Sequence, residues 1–414
     1  MTSATPRRIH HRSSRSAPRI AMYSHDTMGI GHVRRNLLIA QLLADGYSEA
    51  TILLVAGARQ AGLFDLPPRT DMLTLPSLYK RGDGGYQSRE LGIPFWDLIA
   101  MRSEALRAAI MSFDPDVLIV DKVPRGVGAE LDDTLEALGQ RGRARCVLGL
   151  RDVLDDAESV RHEWQVLENE RTIRDYYDAV WVYGDRKVCD PVHEYGFSRG
   201  TADKLRYVGY LDQRPRLAAE AVNGSREIRT DSGQAIQLPA GRLVVCALGG
   251  GHDGARLGEA FAQVRLPADT SAILLAGPYM PSDARKRIRH LTQDCDCFQV
   301  VDFVAEPSRI VARADRVIAM GGYNTVCEVL SYNKPALIIP RTMPRREQLI
   351  RAQRLQELGL IDMLHPDRLS PQAIEAWIGK EIGRRPATEA CIQLSGPPQL
   401  HNLMAELLQT ASCP

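Results

Sequence analysis

Short hydrophobic runs recur along the chain, and segments with helical spacing separate most of them. The first clear example is the apolar run Arg19–Ser24, after which a segment from His32 repeats apolar residues every three or four positions. Such alternation of apolar strands and helices is typical of a parallel sheet that is covered on both faces. The pattern therefore predicts a doubly wound α/β fold. Its first strands are expected at Arg19–Ser24, Thr51–Ala56, Asp71–Leu75, Asp116–Asp121, Arg145–Leu150, Ala179–Tyr183 and Leu205–Gly209.

A polar stretch over residues 213–241 interrupts this alternation. It contains Pro215, Pro239 and several Gly and Ser residues without strong periodicity, which indicates a connection between domains. A second alternation follows, and 414 residues exceed one comfortable hydrophobic core. We therefore predict two domains, over 20–212 and 242–385. The second is expected to have strands at Arg242–Leu248, Ser271–Ala276, Phe298–Val301, Arg316–Met320 and Ala336–Ile339.

The overall charge changes this picture little. The net charge is +1 and hydrophobic residues make up 44% of the chain, as in globular proteins, so we expect no nucleic-acid partner. Residues 1–19 differ because they carry five arginines and no acid. They are interpreted as a disordered basic tail, with attraction to an anionic membrane surface as the alternative. We expect neither a secretory signal nor a membrane-spanning segment, because no sufficiently long apolar run is present.

Eight cysteines are scattered over the chain. Cys295 and Cys297 form a C-x-C pair, but no second pair or histidine cluster completes a metal site. We therefore expect reduced thiols in a cytoplasmic protein.

Glycine-rich turns after two apolar runs supply the candidate chemistry. Gly321 and Gly322 permit a tight turn, and a helix from about Asn324 would aim free N–H groups at a phosphate. Glu328 lies one turn into that helix, within reach of a hydroxyl on the same ligand. A second turn, Gly249–Gly254, also follows a strand and opens a helix.

Three motifs together resemble MurG-like glycosyltransferases. They are G-G-Y-N-T-V-C-E followed by K-P-A-L-I-I-P and E-Q, then G-G-H-D-G-A-R at Gly250–Arg256, and G-I-G-H at Gly29–His32. The resemblance covers about 240–365 and is thin over 20–210. It implies a GT-B fold, in which two Rossmann-like domains face a cleft and the C-terminal segment 386–414 crosses back. The donor-binding residues it implies, together with those of the glycine-rich turns, are Gly31, Gly250, Gly251, His252, Phe303, Val304, Gly321, Gly322, Asn324, Thr325, Glu328, Arg341, Glu347 and Gln348. Among them, Glu328 is expected to bind the ribose, the turn with Phe303 and Val304 the uracil, and Glu347 and Gln348 the hexose.

The base that removes a proton from the acceptor is expected at the carboxyl edge of the first sheet. His32 is the leading candidate, and His25 and Asp26 lie in the same loop. Asp121 and Asp152 follow strands and are further catalytic candidates, with helix capping as the alternative for each. The segment Leu78–Glu90 is expected to be either a mobile lid on the acceptor side or an ordinary surface loop.

The resemblance implies transfer of a hexose, such as an N-acetylhexosamine, from a UDP-sugar with inversion. Two D-x-D triplets, Asp114–Asp116 and Asp294–Asp296, are interpreted as chance, so no metal and no cofactor are expected. The acceptor stays open between a small molecule, a lipid-linked molecule and a polysaccharide. The implied location is cytoplasmic, with peripheral contact at the inner face of the membrane. Two alternatives remain, a UDP-sugar 2-epimerase of the same fold and a non-catalytic nucleotide-sugar-binding protein.

Overall fold

The computed structural model describes residues 17–25, 31–58, 61–62, 64–80, 85–217, 228–230, 233, 235–304, 306–383, 385–395 and 397–410. The basic tail up to residue 16, Asp26 and Gly29 therefore lie outside the described residues. The strands are β1 (Arg19–Ser24), β2 (Thr51–Ala56), β3 (Thr70–Thr74), β4 (Leu78–Lys80), β5 (Tyr86–Ser88), β6 (Val117–Asp121), β7 (Arg145–Arg151), β8 (Ala179–Tyr183), β9 (Leu205–Tyr207), β10 (Tyr210–Leu211), β11 (Ile228–Arg229), β12 (Ala235–Ile236), β13 (Arg242–Ala247), β14 (Thr270–Leu275), β15 (Phe298–Val301), β16 (Arg316–Ala319), β17 (Ala336–Ile338), β18 (Asp362–Met363) and β19 (Leu394–Ser395).

Helices fill most of the connections between these strands. The α-helices are Gly31–Gly46, Phe95–Phe113, Asp132–Arg141, Ala157–Val166, Asn169–Tyr176, Pro191–Tyr195, Arg199–Lys204, Ala255–Ala262, Ser282–Thr292, Ser308–Arg313, Tyr323–Ser331, Glu347–Glu357, Pro371–Gly379, Thr388–Cys391 and Pro397–Thr410. Short 3₁₀ helices lie at Val127–Ala129 and Pro366–Arg368.

Two parallel sheets organise the molecule, and we call their surroundings the first and second domains. The first sheet has the order β3-β2-β1-β6-β7-β8-β9, and the second has the order β15-β14-β13-β16-β17-β18. In each sheet the order of the strands reverses beside its first strand, between β1 and β6 and between β13 and β16. Ligands of open α/β sheets bind at the carboxyl ends of the strands next to such a reversal. The predicted two-domain α/β class is confirmed, whereas the bounds 20–212 and 242–385 stay predictions.

The C-terminal segment returns to the first domain. Strand β19 pairs in parallel with β10, through Tyr210 opposite Leu394. The last helix then packs on Gly31–Gly46, where the Tyr47 hydroxyl donates to the His401 carbonyl at 3.1 Å. The residues Leu394–Ser395 before this helix form β19, and the helix begins at Pro397.

The segment Leu78–Glu90 contains an antiparallel hairpin, β4 with β5, that buried Leu78 anchors, and its role as a mobile lid stays a prediction. One sequence expectation needs correction. Cys295 and Cys297 form a disulfide, with their Cα atoms 5.3 Å apart, so the expectation of reduced thiols fails for this pair. The described cysteines outside the pair are free thiols.

Across the described ranges, no helix combines the length and the apolar character that crossing a membrane requires.

Candidate active site

A cavity of about 240 Å³ lies between the carboxyl edges of the two sheets. The first domain supplies one wall through the start of helix Gly31–Gly46 and the end of β7. The second domain supplies the other through the ends of β13, β14 and β15 and the start of helix Tyr323–Ser331. The lining residues are Gly31, His32, Arg34, Arg35, Arg151, Ala247, Gly249, Gly250, Leu275, Gly277, Asp302, Phe303, Val304, Pro307, Gly322, Tyr323, Asn324, Thr325 and Glu328.

Two helix starts face each other across this cavity. The Asn324 side-chain amide donates to the Gly31 carbonyl at 2.9 Å, which joins the two domains at this point. The first N–H groups of both helices have no partner within their helix, and the helix dipoles add partial positive charge there. The arrangement suits an anion such as a diphosphate. Gly31, Gly322, Asn324 and Thr325 therefore lie where the sequence predicted donor contacts.

The glycine-rich turn after β13 packs closely against the turn after β14. Gly251 has a φ of +86°, and a Cβ on it would lie 2.3 Å from the carbonyl oxygen of Ala276. This close approach explains why residue 251 is a glycine. Gly249 and Gly250 line the cavity, whereas Gly251 faces away from it. His252 is exposed and does not line the cavity either. The predicted donor contacts of Gly251 and His252 are corrected accordingly.

Glu328 lines the cavity with only 1% of its surface exposed. Its Oε1 accepts from Arg34 Nη2 at 2.6 Å and from the Ser308 hydroxyl at 3.2 Å. Burial raises the pKa of this carboxyl, although Arg34 opposes the effect. Arg34 belongs to the first domain, so the carboxylate that was expected to bind ribose already bridges the two domains.

His32 and Asp121, both predicted catalytic residues, are brought together by neighbouring β1 and β6. His32 Nδ1 hydrogen-bonds to Asp121 Oδ2, and Arg35 donates to the same carboxylate at 2.5 and 3.1 Å. An ionised carboxylate only accepts hydrogen bonds, so Nδ1 carries the proton and Nε2 keeps its lone pair. His32 lines the cavity, whereas Asp121 is 1% exposed and orients it from behind.

Burial sets the protonation of this pair. Burial lowers the pKa of His32 to about 4, and Asp121 opposes that shift only in part because Arg35 neutralises the same carboxylate. Burial alone would raise the pKa of Asp121, but Arg35 and His32 hold it well below its usual value. Neighbouring His25, whose ring centre lies 4.7 Å from that of His32, also has a pKa lowered by burial. His32 is therefore a neutral imidazole at neutral pH.

Asp152 does not act as the base that the sequence suggested. Both of its oxygens accept from Arg351 at 2.6 Å, and Oδ2 also accepts from the Tyr210 hydroxyl at 2.6 Å. Its exposed fraction is 0%, and it does not line the cavity. Asp152 instead holds the domains together, because Arg351 lies in the helix Glu347–Glu357.

Gly321 likewise contributes to packing behind the cavity. A Cβ on Gly321, which has a φ of +84°, would lie 2.7 Å from Ile338, and its carbonyl accepts from Arg351 Nη1 at 3.1 Å. It does not line the cavity.

Arg341, Glu347 and Gln348 contact one another beside the cavity but do not line it. Arg341 donates to Glu347 at 2.6 Å and to Asp253 at 2.7 Å, and its backbone N–H donates to the Gln348 side chain at 3.0 Å. Glu347 is 5% exposed, and its Oε2 is buried without a hydrogen-bond partner. Burial would raise the pKa of Glu347, but Arg151 and Arg341 lower it. A polar set is therefore present, and hexose recognition by it stays a prediction.

Phe303 and Val304 line the cavity beyond β15, as the resemblance implied. They are buried to 7% and 8% exposure and form an apolar surface with Leu275. Adjacent Asp302 is held by Arg289 at 2.9 Å. This end of the cavity suits a flat base, and contact with uracil stays a prediction.

Both D-x-D triplets lie away from the cavity. Asp116 precedes β6 and accepts from the Arg19 backbone N–H at 2.7 Å, at the amino edge of the first sheet. Asp294 and Asp296 likewise precede β15. Within the described parts of the chain, no group of three His, Cys, Asp or Glu side chains is placed to hold a metal ion.

The sequence interpretation missed most of the first domain's contribution. Arg34 and Arg35 lie two and three residues after His32, and their charge in the first turn of a helix was the available signal. At the end of β7 the sequence reads Arg151-Asp152. Asp152 is the predicted catalytic residue, but Arg151 lines the cavity.

Comparison with known proteins agrees with this geometry. Residues 245–390 match the glycosyltransferase family 28 C-terminal domain. A Geobacillus kaustophilus protein, UDP-N-acetylglucosamine--N-acetylmuramyl-(pentapeptide) pyrophosphoryl-undecaprenol N-acetylglucosamine transferase, is 23% identical over 214 residues. That alignment spans 51% of this chain and 56% of the relative, so it covers only about half of either protein.

Solved structures share the fold over nearly the whole chain. Acinetobacter baumannii MurG superposes with a TM-score of 0.54 and 13% identity, covering 94% of this chain and 99% of the other. A UDP-N-acetylglucosamine 2-epimerase superposes with a TM-score of 0.57 and 11% identity, covering 95% and 96%. At these identities the likeness shows the fold alone, and the predicted GT-B architecture is confirmed.

Proposed function

We propose that the protein transfers a hexose from a UDP-sugar to an acceptor hydroxyl, because residues 245–390 match the glycosyltransferase family 28 C-terminal domain. We take the hexose to be an N-acetylhexosamine, as in the reaction that the Geobacillus kaustophilus relative is named for. The observation that carries the proposal is the shared cavity. A histidine from the first domain and a helix start from the second, which suits a phosphate, line it together.

The proposed reaction assigns one role to each wall. His32 Nε2 accepts the proton of the acceptor hydroxyl as that oxygen bonds to the anomeric carbon. The bond from this carbon to the β-phosphate oxygen breaks, and its electron pair leaves with UDP. Attack on the face opposite the leaving group inverts the configuration. Asp121 holds the imidazole in the required tautomer and stabilises the imidazolium that forms.

The donor occupies the second wall in this proposal. Phe303 and Val304 contact the base, Glu328 accepts from ribose hydroxyls, and the helix starting at Tyr323 binds the diphosphate. Helix N–H groups and arginine side chains then carry the leaving-group charge, so we propose that the reaction requires no metal. The acceptor meets the first domain. We further propose a cytoplasmic location with peripheral contact at the inner membrane face, in line with the sequence resemblance.

Product analysis with UDP-N-acetylglucosamine and an acceptor panel, with and without EDTA, tests the proposal. UDP that appears only when an acceptor is present, and equally in EDTA, would support metal-independent transfer. Interconversion of the sugar nucleotide without acceptor would identify a 2-epimerase instead. Tight UDP binding without turnover across the whole panel would identify a non-catalytic binding protein.

A further inference from the structure

Arg151 ends β7 at the carboxyl edge of the first sheet and lines the cavity from the first domain. The opposite wall contains the helix start Gly322–Thr325 and the turn residues Gly249 and Gly250. Arg151 therefore shares one enclosed space with the backbone N–H groups that suit a phosphate.

Three arginines of the first domain line this space, and two of them are already neutralised. Arg35 binds Asp121, and Arg34 binds Glu328 at 2.6 Å. Within the part of the chain that the structure describes, Arg151 has no ion pair, and its Nε is buried without a hydrogen-bond partner. Arg151 is half-buried, and a polar atom that is buried without a hydrogen-bond partner is costly, because its desolvation is not offset.

The carboxylates next to Arg151 form their hydrogen bonds with other arginines. Adjacent Asp152 is committed to Arg351 and Tyr210. Glu347 is close enough to influence Arg151 electrostatically, and its Oε1 accepts from Arg341 at 2.6 Å. Burial and the cations Arg351 and Arg35 lower the pKa of Arg151, whereas Glu347 and Asp152 oppose them. Neither carboxylate hydrogen-bonds to Arg151, so its guanidinium can bind a further anion.

We propose that Arg151 binds the diphosphate of the donor and is a catalytic residue for the departure of UDP. This inference rests on the proposed function. When the bond between the anomeric carbon and the β-phosphate oxygen breaks, its electron pair adds negative charge to that phosphate. The Arg151 guanidinium donates hydrogen bonds to it, opposite the helix start of the second domain. Leaving-group stabilisation is then shared between the domains.

We predict that the protein binds UDP more tightly than UMP and that this preference depends on Arg151. Calorimetry would compare the binding of UDP and UMP to the full chain and to the variants Arg151→Met and Arg151→Lys. Arg199→Met is the matched control, because it removes one positive charge from a side chain that is 94% exposed. Thermal unfolding would establish that each variant is folded.

We expect Arg151→Met to weaken UDP binding by about 10- to 100-fold, the loss typical of hydrogen bonds to charged groups. UMP affinity should stay within about twofold, since it lacks the second phosphate, and Arg199→Met should bind both ligands normally. Arg151→Lys keeps the charge without the planar fork, so it should show a smaller loss that is confined to UDP. It also serves as the test if the methionine variant does not fold.

Two results would overturn the inference while leaving the proposed function intact. One is wild-type protein that binds UDP and UMP equally well. The other is a folded Arg151 variant that binds UDP normally or loses UDP and UMP affinity in equal measure. If the wild-type protein bound neither nucleotide, the proposed function would fail and this inference with it.

Discussion

Asp152 and Arg351 are joined across the two domains by two hydrogen bonds of 2.6 Å, although neither side chain is more than 1% exposed. The pair lies directly behind the cavity, because Asp152 follows Arg151 in the chain and Arg351 also binds the carbonyl of Gly321. The Tyr210 hydroxyl satisfies a further lone pair of the carboxylate. This buried ion pair therefore holds the two walls of the candidate site together.

Removal of one partner of this ion pair should destabilise the protein strongly. Arg351→Met leaves a buried carboxylate without its cation, and we expect it to lower the free energy of unfolding by about 3–5 kcal/mol. Urea unfolding would measure the change. Removal of an exposed cation by Arg171→Met is the control and should cost less than about 1 kcal/mol, since Arg171 is 64% exposed.

The double variant Asp152→Leu/Arg351→Met should cost less than the two single changes added together, because no unpaired charge remains. Additive losses would show that the two residues do not act as a pair.

Replacement of Glu328 should weaken nucleotide binding through the ribose. Glu328→Ala removes the buried carboxylate that lines the cavity, and we expect UDP to bind about 1.5–3 kcal/mol more weakly. Calorimetry with UDP and 2′-deoxy-UDP would show whether the lost binding energy comes from the ribose 2′-hydroxyl. The wild-type protein should prefer UDP, and the variant should not distinguish the two ligands.

Glu306→Ala is the matched control, because Glu306 also pairs with Arg34 at 3.4 Å but does not line the cavity. If both variants lost UDP affinity alike, Glu328 would act through Arg34 and the domain contact and not through ribose.

Gln348 should act on the sugar and not on the nucleotide. Gln348→Ala is expected to reduce affinity for UDP-N-acetylglucosamine by about 0.5–1.5 kcal/mol, the usual value of a neutral hydrogen bond, and to leave UDP unchanged. Gln356→Ala, on the exposed side of the same helix, should alter neither affinity. Equal losses for the sugar nucleotide and for UDP would indicate that Gln348 stabilises the loop at Arg341 and does not contact the sugar.

His32 should control the acid side of the pH–rate profile. The imidazole is the base only when neutral, so its activity is present above its pKa and lost as the pH falls through about 4. A histidine with an ordinary pKa would lose activity near pH 6.5. A profile of kcat/KM against pH, which reports the free enzyme, distinguishes the two cases.

His32→Ala should lower kcat by about 10²- to 10⁴-fold with UDP affinity nearly unchanged. His162→Ala, on an exposed helix face, is the control. A near-normal kcat for His32→Ala would move the base to His25, the nearest remaining candidate.

The strands were largely predictable because each is a short apolar run. Arg19–Ser24, Thr51–Ala56 and Phe298–Val301 agree with the structure to the residue. Strands β10 and β19 were not predictable, because two residues at each site pair over more than 180 positions of chain. Local patterns contain no signal for such a pairing.

The second-domain wall was predictable for the same local reason, since Gly322–Glu328 is one continuous motif. The pairing of His32 with Asp121 depends on the adjacency of β1 and β6, and the residues lie 89 positions apart. Asp152 was misassigned because its partner, Arg351, is 199 positions away. Whether an acid at a strand end is free or paired is decided by packing between the domains.

Hydrogen exchange with and without UDP-N-acetylglucosamine tests the central claim most directly, because it locates the ligand before any acceptor is known. We predict slower exchange of backbone amides in both walls, at residues 31–35 of the first domain and at 249–250 and 322–328 of the second. Protection of one wall alone would contradict binding between the domains. Unchanged exchange in both walls at saturating ligand would contradict the account as a whole.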